Sequence, residues 1–599
     1  MEHKSDRFNL LLSTLAGTVP AALFRYIAFN SPDGALGIHT LGNIKAYFIF
    51  ALLWVGTFFL ADTLLRRFNN RQPRLISKIL ITAPFVVILA ILYYKIYRHL
   101  VYGTTIKYII VSTIFTTGLT AYAVFVRHDH FRKVKVILLW ALTLLMSGLW
   151  FLTSSTVNTF SHYSFGRSYN IYHSSAYIDS IINTYYGAPF TGIESELYGH
   201  YSILMYLPMK IFGMNTFTIG IIMGILTAAA FIFLAASMMM TIKPFFLKCF
   251  AIGGLGLYGL TAYSIYWQSF PHRMFFPALI IFLITLLTYK KIFRRSFFFI
   301  GLSITTMALI WNTETGAVCV VTWGVYGGFC LLKDKKLLST FLSVIISAAS
   351  SLVGSLMILN IYNLTHGGSA MGIRELIGFQ GQGFVDTISK ELDTGNALYV
   401  HIFIVLFLCA TLGIHSVYIQ KELEPKGALF LALGVMGLGI GTYYVNNPSG
   451  GTGILSMYFV VGIALLLSMA KFKVINAMLA LYAALCLFFC GIEGKFLISQ
   501  LKSMHDAGAY DYKPFEDFCE DLDTRIAPDT KGAGYGTAAV FMELGRDRGG
   551  RDFHFNMEEI EGCEHFIKFC DGNDEFEGYE IIDVIPYEET AFNYYEKIS

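Results

Sequence analysis

Residues 215–240 read NTFTIGIIMGILTAAAFIFLAASMMM, a run without a single charge. About 20 apolar residues in a helix cross the hydrocarbon core of a bilayer. Read outward from it, comparable runs fall at roughly 8–29, 46–65, 79–97, 107–126, 136–153, 245–267, 274–289, 297–312, 315–332, 338–361, 397–419, 427–445, 452–470 and 474–492, about fifteen spans in all. The chain of 599 residues is 55% hydrophobic and 14% charged, against roughly 25% charged in soluble domains. The runs are continuous rather than alternating, which excludes a membrane β-barrel. The sequence therefore predicts an α-helical polytopic membrane protein. Lys4 and Arg7 precede a first apolar run with no small-residue cleavage site after it, so that run reads as a retained span.

The net charge of +3 hides an asymmetry. Residues 493–599 hold 25 Asp/Glu against 10 Lys/Arg, and residues 1–492 hold 16 against 34. The tail reads as a small acidic α/β domain, rich enough in Phe and Tyr to fold on its own core. Its acidity excludes nucleic acid as a partner, because that polyanion needs a basic surface. Cys519, Cys563 and Cys570 of the tail leave room for one disulfide and show no metal-ligand spacing.

Orientation follows from the loops. With the N-terminus in the cytoplasm, loops such as 66–78, 127–135, 290–295, 333–336 and 471–473 put 24 Lys/Arg inside and 9 outside, the bias expected of cytoplasmic loops. The loops 154–214 and 362–396 and the acidic tail then share the extracytoplasmic face. The chain is expected in the plasma membrane of a bacterium as a multi-pass protein, N-terminus cytoplasmic and C-terminus extracytoplasmic. No ATP is available on that face and no phosphate-binding P-loop occurs in the chain.

Immediately before the quoted span lies HSSAYIDSIINTYYGAPFTGIESELYGHYSILMYLP, residues 173–208. YHSSAYIDSIINTYYG predicts a short helix with Asp179 and Asn183 on one face, ended at Gly187 and Pro189. YGHYSILMYLPMKIFG, residues 198–213, predicts an amphipathic helix on the membrane surface, with Lys210 on its polar side.

An acidic residue just beyond a span, followed by a surface helix and a re-entering span, resembles the GT-C superfamily of integral membrane glycosyltransferases. The surface helix is similar to that family's YxPLYYxLL-type segment. The loop is also similar to bacterial membrane proteins carrying HxxAYxxSIxNxYxGxPF…YGHY. The resemblance covers about residues 136–492, a GT-C-like catalytic module preceded by a four-helix extension over 1–135. The chain departs from the family in having no paired acids at the start of the loop, and Asn170 stands where relatives have one.

The resemblance implies transfer of a sugar from a polyprenyl-phosphate or diphosphate donor to a glycan, lipid or protein acceptor, building or decorating the cell envelope or its polysaccharide. Such transfer needs a carboxylate base, cations for the departing phosphate and a groove for the lipid. Asp179 is the first candidate base, with Glu194 and Glu196 as alternatives, and His173, nearly two turns back, is a further catalytic candidate. His272, Arg273 and Arg374 are the candidates for the donor phosphate, Arg being suited to that geometry. Tyr198, His200, Asn312, Glu314, Asn446 and Asn447 are candidates for contact with the sugar. Glu194 and Glu196 are candidate ligands for Mg2+ or Mn2+, although no octahedral signature is present. A transporter or flippase for a lipid-linked glycan is the competing reading. It fits less well, because the predicted spans are almost free of ionisable groups and no inverted repeat is visible.

Overall fold

A computed structural model describes residues 132–160, 167–190, 198–258, 267–331, 337–377, 397–419, 423–444, 448–469, 498–549, 560–570, 575–588 and 590–598, with isolated positions elsewhere. The predicted spans at 8–29, 79–97 and 107–126, Glu194, Glu196, Asn446 and Asn447 lie outside these residues, as do all of the span at 474–492 but Ala483 and twelve of the twenty residues of the span at 46–65.

The protein is mostly helical, with a small C-terminal sheet. The helices are α1 (Arg132–Ser154), α2 (Arg167–Tyr185), α3 (Ser202–Phe212), α4 (Thr216–Thr241), α5 (Phe245–Tyr258), α6 (Phe275–Lys290), α7 (Arg295–Trp311), α8 (Thr313–Leu331), α9 (Leu337–Thr365), α10 (Ala397–Ile414), α11 (Pro425–Tyr443) and α12 (Pro448–Leu467). Among the described residues four helices are long and apolar enough to cross a membrane, within α1, α4, α9 and α11. Several predicted spans form shorter apolar helices. The run at 245–267 is helical only to Tyr258 before the described residues stop, and the run at 338–361 continues as helix to Thr365.

Apolar sequence all round a helix buries it among neighbours or in lipid. Helix α4 does so against α1, α5 and α6. Its first turn is capped where the Asn215 side chain accepts from the Thr218 N–H at 2.7 Å. Exposed Leu144, Leu145, Phe299, Phe341 and Val353 give α1, α7 and α9 apolar outer faces. Such faces suit lipid and are unusual on a protein surrounded by water.

Helix α2 runs 167–185, longer at its start than the sequence suggested, and is uncharged along its inner length apart from Asp179. Helix α3 buries Met205 and Met209 and exposes Leu207, Ile211 and Phe212. Lys210 lies 3.6 Å over the Tyr185 ring, which anchors the α3 surface to the end of α2.

The C-terminal domain contains α13 (Lys513–Arg525), α14 (Thr537–Glu543) and strands β1 (Lys531–Ala533), β2 (His565–Cys570), β3 (Tyr579–Tyr587) and β4 (Thr590–Lys597). The sheet order is β1-β2-β4-β3, with β1 parallel to β2 and the other pairs antiparallel. Cys519 and Cys563 are buried free thiols. This domain is joined to the helical part through its core. Phe160, just past α1, is buried among Phe515, Phe569, Tyr587 and Phe592, with ring centroids 5.3–5.8 Å away. The Val157 and Asn158 N–H groups donate to the Ala509 carbonyl.

Candidate functional site

Helix α2 divides the candidate residues between two faces. Positions two apart in an α-helix stand about 200° apart around its axis. His173 and Tyr177 therefore face one way, and Ser175 and Asp179 the other.

The first face meets the segment between α5 and α6. Trp267 Nε1 donates to the Ser154 carbonyl at 2.8 Å, and Ser154 Oγ donates to the Phe270 carbonyl at 2.8 Å. These bonds hold His272 and Arg273 at the end of α1. Arg273 forms a two-pronged ion pair with Glu314 of α8: Nε to Oε2 at 2.8 Å and Nη2 to Oε1 at 3.1 Å. Both side chains are buried, 3% and 8% exposed. The planar guanidinium fork matches a carboxylate in this geometry. Nη1 also donates to the Gln268 carbonyl at 3.1 Å.

Glu314 sits in the first turn of α8 because Asn312 breaks the chain between two helices. The Asn312 side-chain oxygen accepts from the Thr315 N–H and hydroxyl, both at 2.8 Å. Its Nδ2 is buried without a partner among the described residues. Beside it runs Gly199, with φ of +105°, where a Cβ would lie 3.1 Å from the Trp311 carbonyl oxygen. A glycine is required there for close approach and for its left-handed backbone.

Three histidines complete this side. His173 Nδ1 is 2.5 Å from the Tyr198 hydroxyl. His272 Nε2 donates to the Tyr198 carbonyl at 2.7 Å, while its own carbonyl accepts from Trp311 Nε1 at 2.9 Å. Its Nδ1 is buried and unpartnered among the described residues, as is Nδ1 of His200. Tyr177 packs against Tyr198, Tyr201 and His272, with centroids 4.9–5.2 Å away. Burial, with help from the Arg273 charge, holds His173 down near 4 and His272 near 3, and burial alone holds His200 near 4. All three are neutral at pH 7.

The second face of α2 meets the C-terminal domain. Arg548 Nη2 stands 2.8 Å from Asp179 Oδ1 as an ion pair rather than an aligned hydrogen bond, and the side chains are 0% and 2% exposed. Arg548 Nη1 donates to the Gly534 carbonyl at 3.3 Å, and the Arg548 carbonyl accepts from the Gly532 N–H at 2.9 Å. One helical turn before Asp179, Ser175 Oγ accepts from the Gly536 N–H at 2.9 Å. Gly536 has φ of +89° between β1 and α14, which lets the turn present that N–H to α2. Glu543 of α14 accepts from the N–H and hydroxyl of Thr216 at the start of α4, at 2.7 and 2.6 Å, and from the Tyr512 hydroxyl at 2.7 Å.

His173, Tyr198, His272, Arg273, Asn312 and Glu314 thus gather on one side of α2. His200 lies nearby, its ring edge-on to Phe190 at 5.0 Å. Asp179 does not join them; it lies on the opposite side of the helix, against Arg548. Arg374 is exposed beyond α9. Among the described residues no three His, Cys, Asp or Glu side chains group as metal ligands. Sequence reasoning missed Arg548, Ser175, Tyr177 and Glu543. Arg548 is one of three arginines in the stretch GRDRGGR of an acidic tail, and nothing in its spacing marks it as buried. No family model, curated protein or solved structure matches this chain.

Proposed function

We propose that the chain is a membrane glycosyltransferase of GT-C type, working on the extracytoplasmic side of a bacterial plasma membrane. It moves a sugar from a polyprenyl-phosphate or diphosphate donor to a cell-surface glycan, lipid or protein. Asp179 takes the hydroxyl proton of the acceptor as that oxygen bonds to the anomeric carbon. The bond from that carbon to the phosphate oxygen breaks, and its electron pair leaves with the phosphate. A guanidinium within reach of the same centre steadies the departing charge, while Arg273, on the opposite side of α2, stays held by Glu314.

One observation carries this reading: two carboxylate–guanidinium pairs, Asp179–Arg548 and Arg273–Glu314, are buried on either side of one loop helix. Apolar residues of similar volume hold a fold as well or better than such pairs. Charges kept in this setting support a chemical role. The test offers labelled polyprenyl-phosphate sugars, with candidate acceptors, to the purified protein in detergent. Transfer by wild type and loss of at least about 100-fold in Asp179→Asn is expected of a general base. Full transfer by folded Asp179→Asn removes that residue from the chemistry, and no transfer from any donor of this class removes the proposal.

A further inference from the structure

We propose that Arg548 is itself a ligand for the donor phosphate, parked at rest on Asp179, so that arrival of the phosphate uncovers the base. The inference rests on the glycosyl-transfer reading and assigns to it a residue from outside the membrane module.

A general base must come within about 2.6–3.2 Å of the oxygen whose proton it takes. Asp179 is 2% exposed and Arg548 0% exposed, with the guanidinium 2.8 Å from Oδ1. The guanidinium closes Oδ1 to an acceptor hydroxyl, so Arg548 must leave before that oxygen can act.

A guanidinium does not leave a buried carboxylate for nothing, because each charge left alone is heavily penalised. It leaves for another anion, and a phosphate offers the same planar, two-pronged match with equal or greater charge. The local chain allows the movement. Arg548 lies in the irregular segment between α14 and the described end at Gly549, flanked by Gly545 and Gly549 with φ of +62° and +76°. The rest of the domain stays tied through bonds that do not involve Arg548, namely Gly536 to Ser175 and Glu543 to Thr216. The first face of α2 repeats the arrangement, with Arg273 resting on Glu314. Each cation thus waits on a carboxylate, one on either side of the helix.

This switch makes a prediction of opposite signs. The probe is polyprenyl monophosphate in detergent micelles, the leaving group of the reaction without its sugar. Arg548→Gln should bind it at least about 10-fold more weakly, the worth of a charge-assisted hydrogen bond. Arg548→Lys should recover part of the loss. Asp179→Asn, by removing the competitor for the guanidinium, should bind it more tightly than wild type. A merely structural pair would weaken binding in both directions of substitution. Wild-type affinity in Arg548→Gln, or weakening in both Arg548→Gln and Asp179→Asn, overturns the switch while leaving sugar transfer standing. Absence of binding to wild type by either polyprenyl mono- or diphosphate overturns the switch together with the transfer reading. If Asp179→Asn does not fold, the two substitutions at Arg548 decide: Arg548→Lys should bind the probe more tightly than Arg548→Gln, and equal weakening in both overturns the proposal.

Discussion

Breaking the Asp179–Arg548 pair from one side should loosen the C-terminal domain far more than replacing both partners. The two side chains are fully enclosed and their charges lie 2.8 Å apart at the nearest atoms. With charge centres about 4 Å apart and an effective dielectric of 20, the attraction is about 4 kcal/mol. Removing one partner of such a pair is strongly destabilising, by about 3–5 kcal/mol, because the other charge stays buried alone. Asp179→Leu and Arg548→Met singly should each reach that range. The double variant replaces the pair with apolar side chains of similar bulk and should fall within about 1–2 kcal/mol of wild type. Native-state proteolysis of the purified protein in detergent reads the difference. Where opening is fast relative to cleavage, the rate follows the open population. A loss of 4 kcal/mol then speeds release of the domain by about 1,000-fold. Singles that each change the rate less than about two-fold, or a double equal to the product of the singles, would refute the argument.

Acid should destabilise the protein through its neutral histidines. His173 and His200 are held near 4 and His272 near 3, whereas an unfolded histidine titrates near 6.5. Between those values the unfolded state binds more protons, so stability is full above about pH 6.5 and declines below it, by about 2 kcal/mol per histidine at pH 5. Melting temperature against pH, with His200→Phe as comparison, checks this: the variant should show a shallower decline, and a flat wild-type profile counts against the burial. Glu314→Gln should lower stability by about 3–5 kcal/mol by stranding Arg273, measured by thermal unfolding, and an unchanged melting temperature contradicts the buried pair. Phe160→Ala should cost about 3–5 kcal/mol at the seam between the two parts and show as faster proteolytic release of the domain; release at the wild-type rate would contradict it.

Much of the helical architecture was legible because lipid imposes one rule along a whole segment. An uncharged run such as 215–240 admits few readings, and α4 matches it almost to the residue. The loop helix and surface helix were legible from Gly187, Pro189 and the apolar spacing of 202–212. Arg273 and Glu314 stood out as polar residues beside apolar runs, but their mutual pairing depends on α6 and α8 meeting, which no local pattern encodes. What the face of Asp179 would meet was not legible, because a helix of buried residues has almost no apolar–polar contrast to orient it. Arg548 was illegible for a similar reason. Its partner lies in another part of the chain, and an arginine in an acidic tail looks like any solvated charge.

For sugar transfer outside the cell, the C-terminal domain and the loop helix it covers must face away from the cytoplasm. Glu520, exposed on α13, offers a direct measurement. Glu520→Cys in sealed right-side-out vesicles, with wild type as background, should react with a membrane-impermeant maleimide without permeabilisation. Labelling of Glu520→Cys only after the membrane is opened would put the domain in the cytoplasm and contradict the enzyme proposed here.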